Sequence, residues 1–177
     1  FVVAFTVAAS EDSLLAKELL EQAMGVHGIP DVVHADRGTS MTSKPVAQLL
    51  VDLGVTRSHS RPRVSNDNPY SESAFKTLKY APAFPDTFGS LADARAFADR
   101  FLGYYNHEHR HCGIGLHTPA SVHYGTAGQV RTQRQHTLDA AYAARPERFG
   151  HRRPTPPKLP DQVWINQPSR EALVQSA

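Results

Sequence analysis

The sequence predicts an α/β fold, because short apolar stretches rich in β-branched residues alternate with amphipathic segments of helical period. Three observations carry this. Val2–Ala9, Ile29–Ala35 and Val55–Ser60 read as strands, helical segments separate them, and the connection between the second and third is long enough for a parallel crossover.

Each element has a local reason. The run Val2–Ala9 holds valine, phenylalanine and threonine and reads as a buried strand, with Ser10 as the cap of the next helix. That helix is expected over Glu11–Met24, with Leu15, Leu19, Leu20, Ala23 and Met24 on one side and Gly25 as its stop. After Ile29–Ala35 come Asp36, Arg37 and Gly38, which end the strand. A helix is then expected from Ser43 to Leu53, with Pro45 in its first turn and Val46, Leu49, Leu50 and Leu53 facing inward. Past Val55–Ser60 runs a polar loop, in which Asn68 and Pro69 suit the N-cap and first position of a helix reaching about Tyr80. Ser90 and Asp93 resemble a capping box, and Leu91, Ala94, Ala98, Phe101, Leu102 and Tyr105 mark one face of the helix beyond it. Val130–Ala144 is a further helix candidate, and the four prolines between His151 and Pro160 predict an extended tail.

Composition narrows the class without choosing a function. The 177 residues are 40% hydrophobic and 20% charged, which suits one globular domain that buries a core. No apolar run is long enough to span a bilayer, so no membrane role is expected. A single cysteine, Cys112, excludes an intrachain disulfide and, with no signal peptide, suits the cytoplasm. Net charge is only +2, but residues 100–177 carry ten Lys/Arg against five Asp/Glu and seven of the ten histidines. A basic half suits phosphate contacts, although a surplus this small is also an ordinary solvated surface.

Two acids stand at element ends. Asp36 follows a predicted buried strand, where open α/β sheets place ligand sites, and Glu72 lies in the first turn of a predicted helix. Each also has an ordinary reading, as a turn acid beside Gly38 and as an acid favoured by the helix dipole. At about 100° per residue Glu72, Lys76 and Lys79 share a helix face, which equally describes a Glu-to-Lys pair on a surface helix. His107, His109, His111 and Cys112 raise a zinc reading, but no paired Cys-x-x-Cys supports it.

The acids and their surroundings together say more. Thirty-five residues separate Asp36 from Glu72, within His34-Ala-Asp-Arg-Gly38 and Ser65-Asn-Asp-Asn-Pro-Tyr-Ser-Glu-Ser-Ala-Phe-Lys-Thr-Leu-Lys79. This pattern resembles the catalytic core of bacterial insertion-sequence transposases and retroviral integrases. The likeness continues through Tyr104-Tyr-Asn, Arg110-His111, Thr118-Pro-Ala120 and Trp164-Ile-Asn166.

The resemblance implies a ribonuclease-H-like (integrase core) fold over residues 1–125, followed by a C-terminal helix and Pro-rich tail over 126–177. It implies metal-dependent DNA cleavage and strand transfer, with Asp36 and Glu72 as metal ligands of a two-ion Mg²⁺ or Mn²⁺ centre. It also makes Lys79 a contact to transposon-end DNA, joined by Lys76, Arg61, Arg63 and Asn68. The partners it implies are transposon ends, target DNA and further copies of the chain on DNA, beside the bacterial nucleoid.

In that family the first acid lies on a strand well before the second, and Asp12 and Asp31 do not have its context. The expectation is therefore of a core without its first two strands and first acid, leaving about three strands, and inactive alone. The alternative is a catalytically dead remnant that binds transposon ends or intact transposase as an inhibitor. An unrelated ribonuclease-H-like nuclease is disfavoured by the matches beyond Tyr104.

Overall fold

The computed structural model describes residues 1–62, 64, 67–150 and 152–165. The chain forms two compact units, one of Val3–Phe97 with the chain from Trp164, the other of Phe1–Val2 with Ala98–Val163.

In the first unit the order is α1 (Ser13–His27), β1 (Val32–Ala35), α2 (Lys44–Asp52), β2 (Thr56–His59) and α3 (Pro69–Lys79), then the first turns of α4 (Leu91–His107). The two strands pair in parallel with Val32 opposite Thr56 and His34 opposite Ser58, and α2 makes the crossover that a parallel pair requires. The core lies between helices and sheet. Met24, Val46, Leu50 and Val55 are buried, and Ala16, Leu20, Val33, Met41 and Leu53 pack against them. Beside it Phe84, Phe88 and Phe97 form a trio with ring centroids 5.5–5.7 Å apart, an arrangement that favours edge contacts.

Helix boundaries depart from expectation for identifiable reasons. Asp12 rather than Ser10 caps α1, its Oδ1 accepting from the Leu14 N–H at 2.7 Å. The helix passes through Gly25 and stops at Gly28, which takes a φ of 89° and donates to the Met24 carbonyl. Pro30 sets the limit, since the residue before a proline is kept out of the helical region. The capping box at α4 is present: the Asp93 N–H donates to Ser90 Oγ, and that hydroxyl donates to the Asp93 carboxylate.

The expected strand Val2–Ala9 does not form, so the sheet has two strands among the described residues instead of about three. Side chains bond part of its backbone. The Asn106 amide accepts from Val2 N–H at 2.9 Å and donates to the Val2 carbonyl at 3.0 Å, and Arg95 Nε donates to the Val7 carbonyl at 2.8 Å. Backbone groups satisfied this way have no need of a ladder.

The second unit holds the rest of α4, then α5 (Pro119–His123) and α6 (Ala127–Ala144), which begins three residues before the expected Val130. Phe101, Tyr105, Ala120 and Ala127 are its buried apolar residues. The Pro-rich segment after Arg152 has no regular secondary structure but is fastened to α6. Arg153 makes a two-pronged pair with Asp139 at 2.8 Å on each side, and Gln135 Nε2 donates to the Pro154 carbonyl. The segment passes so close to Gly115 that a Cβ there would lie 2.6 Å from the Lys158 carbonyl oxygen, and Gly115 also has a φ of 64°. No other residue fits that position without movement.

His111 and His117 face each other across an isolated antiparallel bridge, His111 N–H donating to the His117 carbonyl. Tyr105 and His109 pack on His111, with centroids 4.8 and 4.4 Å away. His117 is wholly buried, and neither of its ring nitrogens has a partner among the described residues. Burial pushes both imidazoles below their ordinary range, helped at His111 by His109 and the chain's first amine, and at His117 by Arg134 and Arg131.

Two outcomes are expected. A two-stranded sheet whose Val32 is 51% exposed, with Phe5, Ile29 and Val26 also exposed, presents apolar surface beside an open edge. The purified chain should bind a hydrophobic dye and self-associate as concentration rises, whereas a dye-silent monomer with a sharp denaturant transition would contradict this. The second follows from the histidines, which the fold holds below their ordinary range while an unfolded chain takes up protons near pH 6.5. Their contribution is complete above that pH and is lost as pH falls from it toward the lowered folded values. The urea midpoint should drop between pH 7.5 and 5, and drop less in His117→Gln; an equal drop in both would remove His117 from the account.

Candidate functional site

Asp36 sits one residue past β1, exposed, with its Oδ1 accepting from the Gly38 N–H at 2.9 Å. This is the turn role that an acid before glycine often takes, and it fixes the carboxylate direction. The backbone beneath is held as well: His59 Nδ1–H donates to the Asp36 carbonyl at 2.9 Å, and Arg37 Nε donates to the Ser60 carbonyl at 3.1 Å. A methyl group at Gly38 would meet Asp36 Oδ1 at 3.0 Å and Glu11 Oε1 at 3.9 Å, so glycine keeps the space between two acids open.

Glu11 is the acid that reasoning from sequence missed. Its Oε1 accepts from the Ser40 N–H at 2.9 Å, and that bond, with the Ser40 and Thr39 hydroxyls, holds its carboxyl below the usual carboxylate range. The residues are 29 apart in sequence, and no local signal marks the contact.

Glu72 stands in the first turn of α3, exposed, as are Lys76 and Lys79 farther along. Among the described residues none of the three has an ion-pair partner, so the Glu-to-Lys surface pair is not formed. Asn68 is the N-cap by position, yet its side chain makes no capping bond, and α3 buries none of its residues. Phe75 is 70% exposed. Two contacts steady the start of the helix. The Tyr70 hydroxyl donates to the Trp164 carbonyl at 3.2 Å, and Asp67 anchors the turn just ahead.

Asp67 is only 5% exposed and needs partners. Arg61 supplies them: its backbone N–H and Nε donate to Oδ2 at 2.7 and 2.9 Å, and Nη2 donates to Oδ1 at 2.9 Å. Such a two-pronged guanidinium contact is the strong form of the interaction. The Asp67 carboxylate in turn holds the guanidinium firmly protonated. The fork that sequence reasoning directed at DNA is thus turned onto the loop itself, while Arg63 lies outside the described residues.

His34 completes the arrangement. One ring nitrogen, Nδ1, is 2.9 Å from Ser58 Oγ on the paired strand, and the other, Nε2, is 2.8 Å from the Asp67 carbonyl oxygen. Asp36 and Glu72 therefore belong to one compact unit, on elements that His34, His59 and Asp67 tie together. Hard, exposed carboxylate oxygens are the donors that Mg²⁺ or Mn²⁺ prefers, so these two acids fit by type. In number they fall short, since no three His, Cys, Asp or Glu side chains gather to hold an ion among the described residues.

Two family models, both described as integrase core domain, match residues 53–119 and 1–65. The transposase for insertion sequence element IS904 of Lactococcus lactis is 29% identical over 121 residues, which is 67% of this chain and 48% of that protein. An uncharacterized protein of Caenorhabditis elegans is 30% identical over 115 residues, covering 65% of this chain and 9% of its own length. The chain thus spans less than half the length of either curated relative. Among solved structures, the catalytic core domain of BIV integrase superposes with a TM-score of 0.53 at 22% identity, over 70% of this chain and 78% of that one, which establishes the ribonuclease-H-like fold. Together the two models match residues 1–119, two thirds of the chain, and both describe an integrase core domain.

Proposed function

We propose that this chain is the part of an insertion-sequence transposase that carries two acids of a DNA cleavage and strand-transfer centre, Asp36 and Glu72. The observation that supports this most is their placement: both are exposed at element ends, within one unit, on segments joined through His34 and Asp67. Mg²⁺ or Mn²⁺ held there supplies activation of an attacking oxygen and charge relief for a leaving one.

The protein's own contribution is positional. Asp36 and Glu72 present carboxylate oxygens, and Lys79 and Lys76, exposed and without an ion-pair partner among the described residues, offer charge to DNA phosphates on the same helix. Asn68 at the start of that helix, and Arg63 earlier in the sequence, are further proposed contacts. Arg61, committed to Asp67, contributes least. Transposon ends, target DNA and further copies of the protein are the proposed partners, in the bacterial cytoplasm beside the nucleoid.

With no three metal-ligating side chains gathered among the described residues, the chain alone is proposed to be inert. That also leaves room for the second reading, a remnant that binds ends or intact transposase and inhibits. The assay is joining of a pre-cleaved transposon end with Mg²⁺ or Mn²⁺: no product is expected from the 177 residues, and measurable joining would overturn the proposal. In a longer protein that supplies the upstream acid, Asp36→Asn and Glu72→Gln should each abolish cleavage with end binding kept, since they remove ligands and not phosphate contacts. Lys79→Ala should weaken binding and lessen the slope of log K against log salt by about one unit. Retained cleavage, or an unchanged slope, would each remove its own assignment.

A further inference from the structure

We propose that His34 is a positioning residue, whose imidazole ties the strand ending at Asp36 to the turn that starts α3 and so sets where Glu72 stands relative to Asp36.

The bonding pattern fixes what the ring does. A carbonyl oxygen only accepts, so the 2.8 Å contact to the Asp67 carbonyl requires the hydrogen on Nε2. In the neutral ring Nδ1 is then the acceptor, and the Ser58 hydroxyl donates to it at 2.9 Å. Ser58 is the cross-strand partner of His34, so one face of the ring is referenced to the sheet. The other nitrogen reaches 33 residues along the chain to Asp67, the residue before the N-cap of α3.

The helix needs such a tie. It has eleven residues, none buried, and no side-chain bond at its N-cap. Short helices are marginal unless tertiary contacts hold them. Arg61 bonds the Asp67 carboxylate, but the two are only six positions apart, so that pair is local and does not refer the start of α3 to the strands. The His34 bond makes that reference. One residue separates His34 from Asp36, and four separate Asp67 from Glu72, so few torsions intervene on either side.

The significance of this for catalysis rests on the reading of Asp36 and Glu72 above, but the test does not. Amide hydrogen exchange is measured on the 177-residue chain at neutral pH without metal or DNA. In His34→Ala, protection over Pro69–Lys79 should fall by about tenfold, the effect of losing one hydrogen bond, while protection in α1 and α2 is kept. In His34→Gln, whose amide nitrogen reaches the place of Nε2, protection of α3 should recover; in His34→Asn, whose amide nitrogen stops at the place of Nδ1, it should not. Unchanged exchange in α3 on His34→Ala overturns the proposal. If that variant loses protection everywhere, the Gln and Asn variants decide, and equal exchange in α3 for the two overturns it as well. Should the exchange results hold while Asp36→Asn and Glu72→Gln leave cleavage intact, the functional reading fails and the positioning stands.

Discussion

A carboxylate taken out of water must be paired, and Asp67 is the place where this chain meets that demand. Its side chain gathers the Arg61 backbone and guanidinium, and its carbonyl receives the His34 ring. Loss of the Arg61 guanidinium would take an ion-pair partner from a buried carboxylate, which costs more than the loss of a surface ion pair. The contact between Arg61 and Asp67 is therefore electrostatic and not apolar. The acid-bearing ends of β1 and α3 are both referred to Asp67.

Around that point the hydrophobic effect works on a small scale. The buried set Met24, Val46, Leu50 and Val55 seals two helices over a two-stranded sheet, and burying each such side chain contributes about 1.5–3 kcal/mol. Little of this reaches α3, whose Phe75 and Tyr80 are mostly exposed. Rigid positioning and burial are thus supplied by different parts of the unit: α1, α2 and the strands by packing, α3 by directional bonds at its start.

The second unit uses its histidines otherwise than a basic surface would. His111 and His117 turn inward across a bridge, and Arg134 donates to the carbonyls of Gly115 and Leu116. Charges that reasoning from composition would spread over a DNA-facing surface are partly consumed in holding a loop against α6. The Pro-rich segment is similarly committed, through Arg153 and Asp139, whose carboxyl is lowered to about 2 by that guanidinium and by Gln135.

What the sequence determined by itself is what depends on neighbours a few residues apart. Helical period, the Ser90 cap, Pro45 and Pro69 near helix starts, and a crossover between two short strands were legible, as were Asp36 and Glu72 at element ends, because φ/ψ preferences and one-turn contacts are local. The tertiary structure decided the rest. Val2–Ala9 has strand composition but no ladder, since a strand is made by its partner, and here the Asn106 and Arg95 side chains bond the backbone of Val2 and Val7 instead. Arg61 reads as a free cation until Asp67 is seen beneath it, and Glu11 reads as a helix-start acid until Ser40 is seen against it. His34 shows the difference most plainly. Its neighbours in sequence identify a family pattern, but its bonds run 24 and 33 residues away, a separation at which chain folding and not local preference chooses the partner.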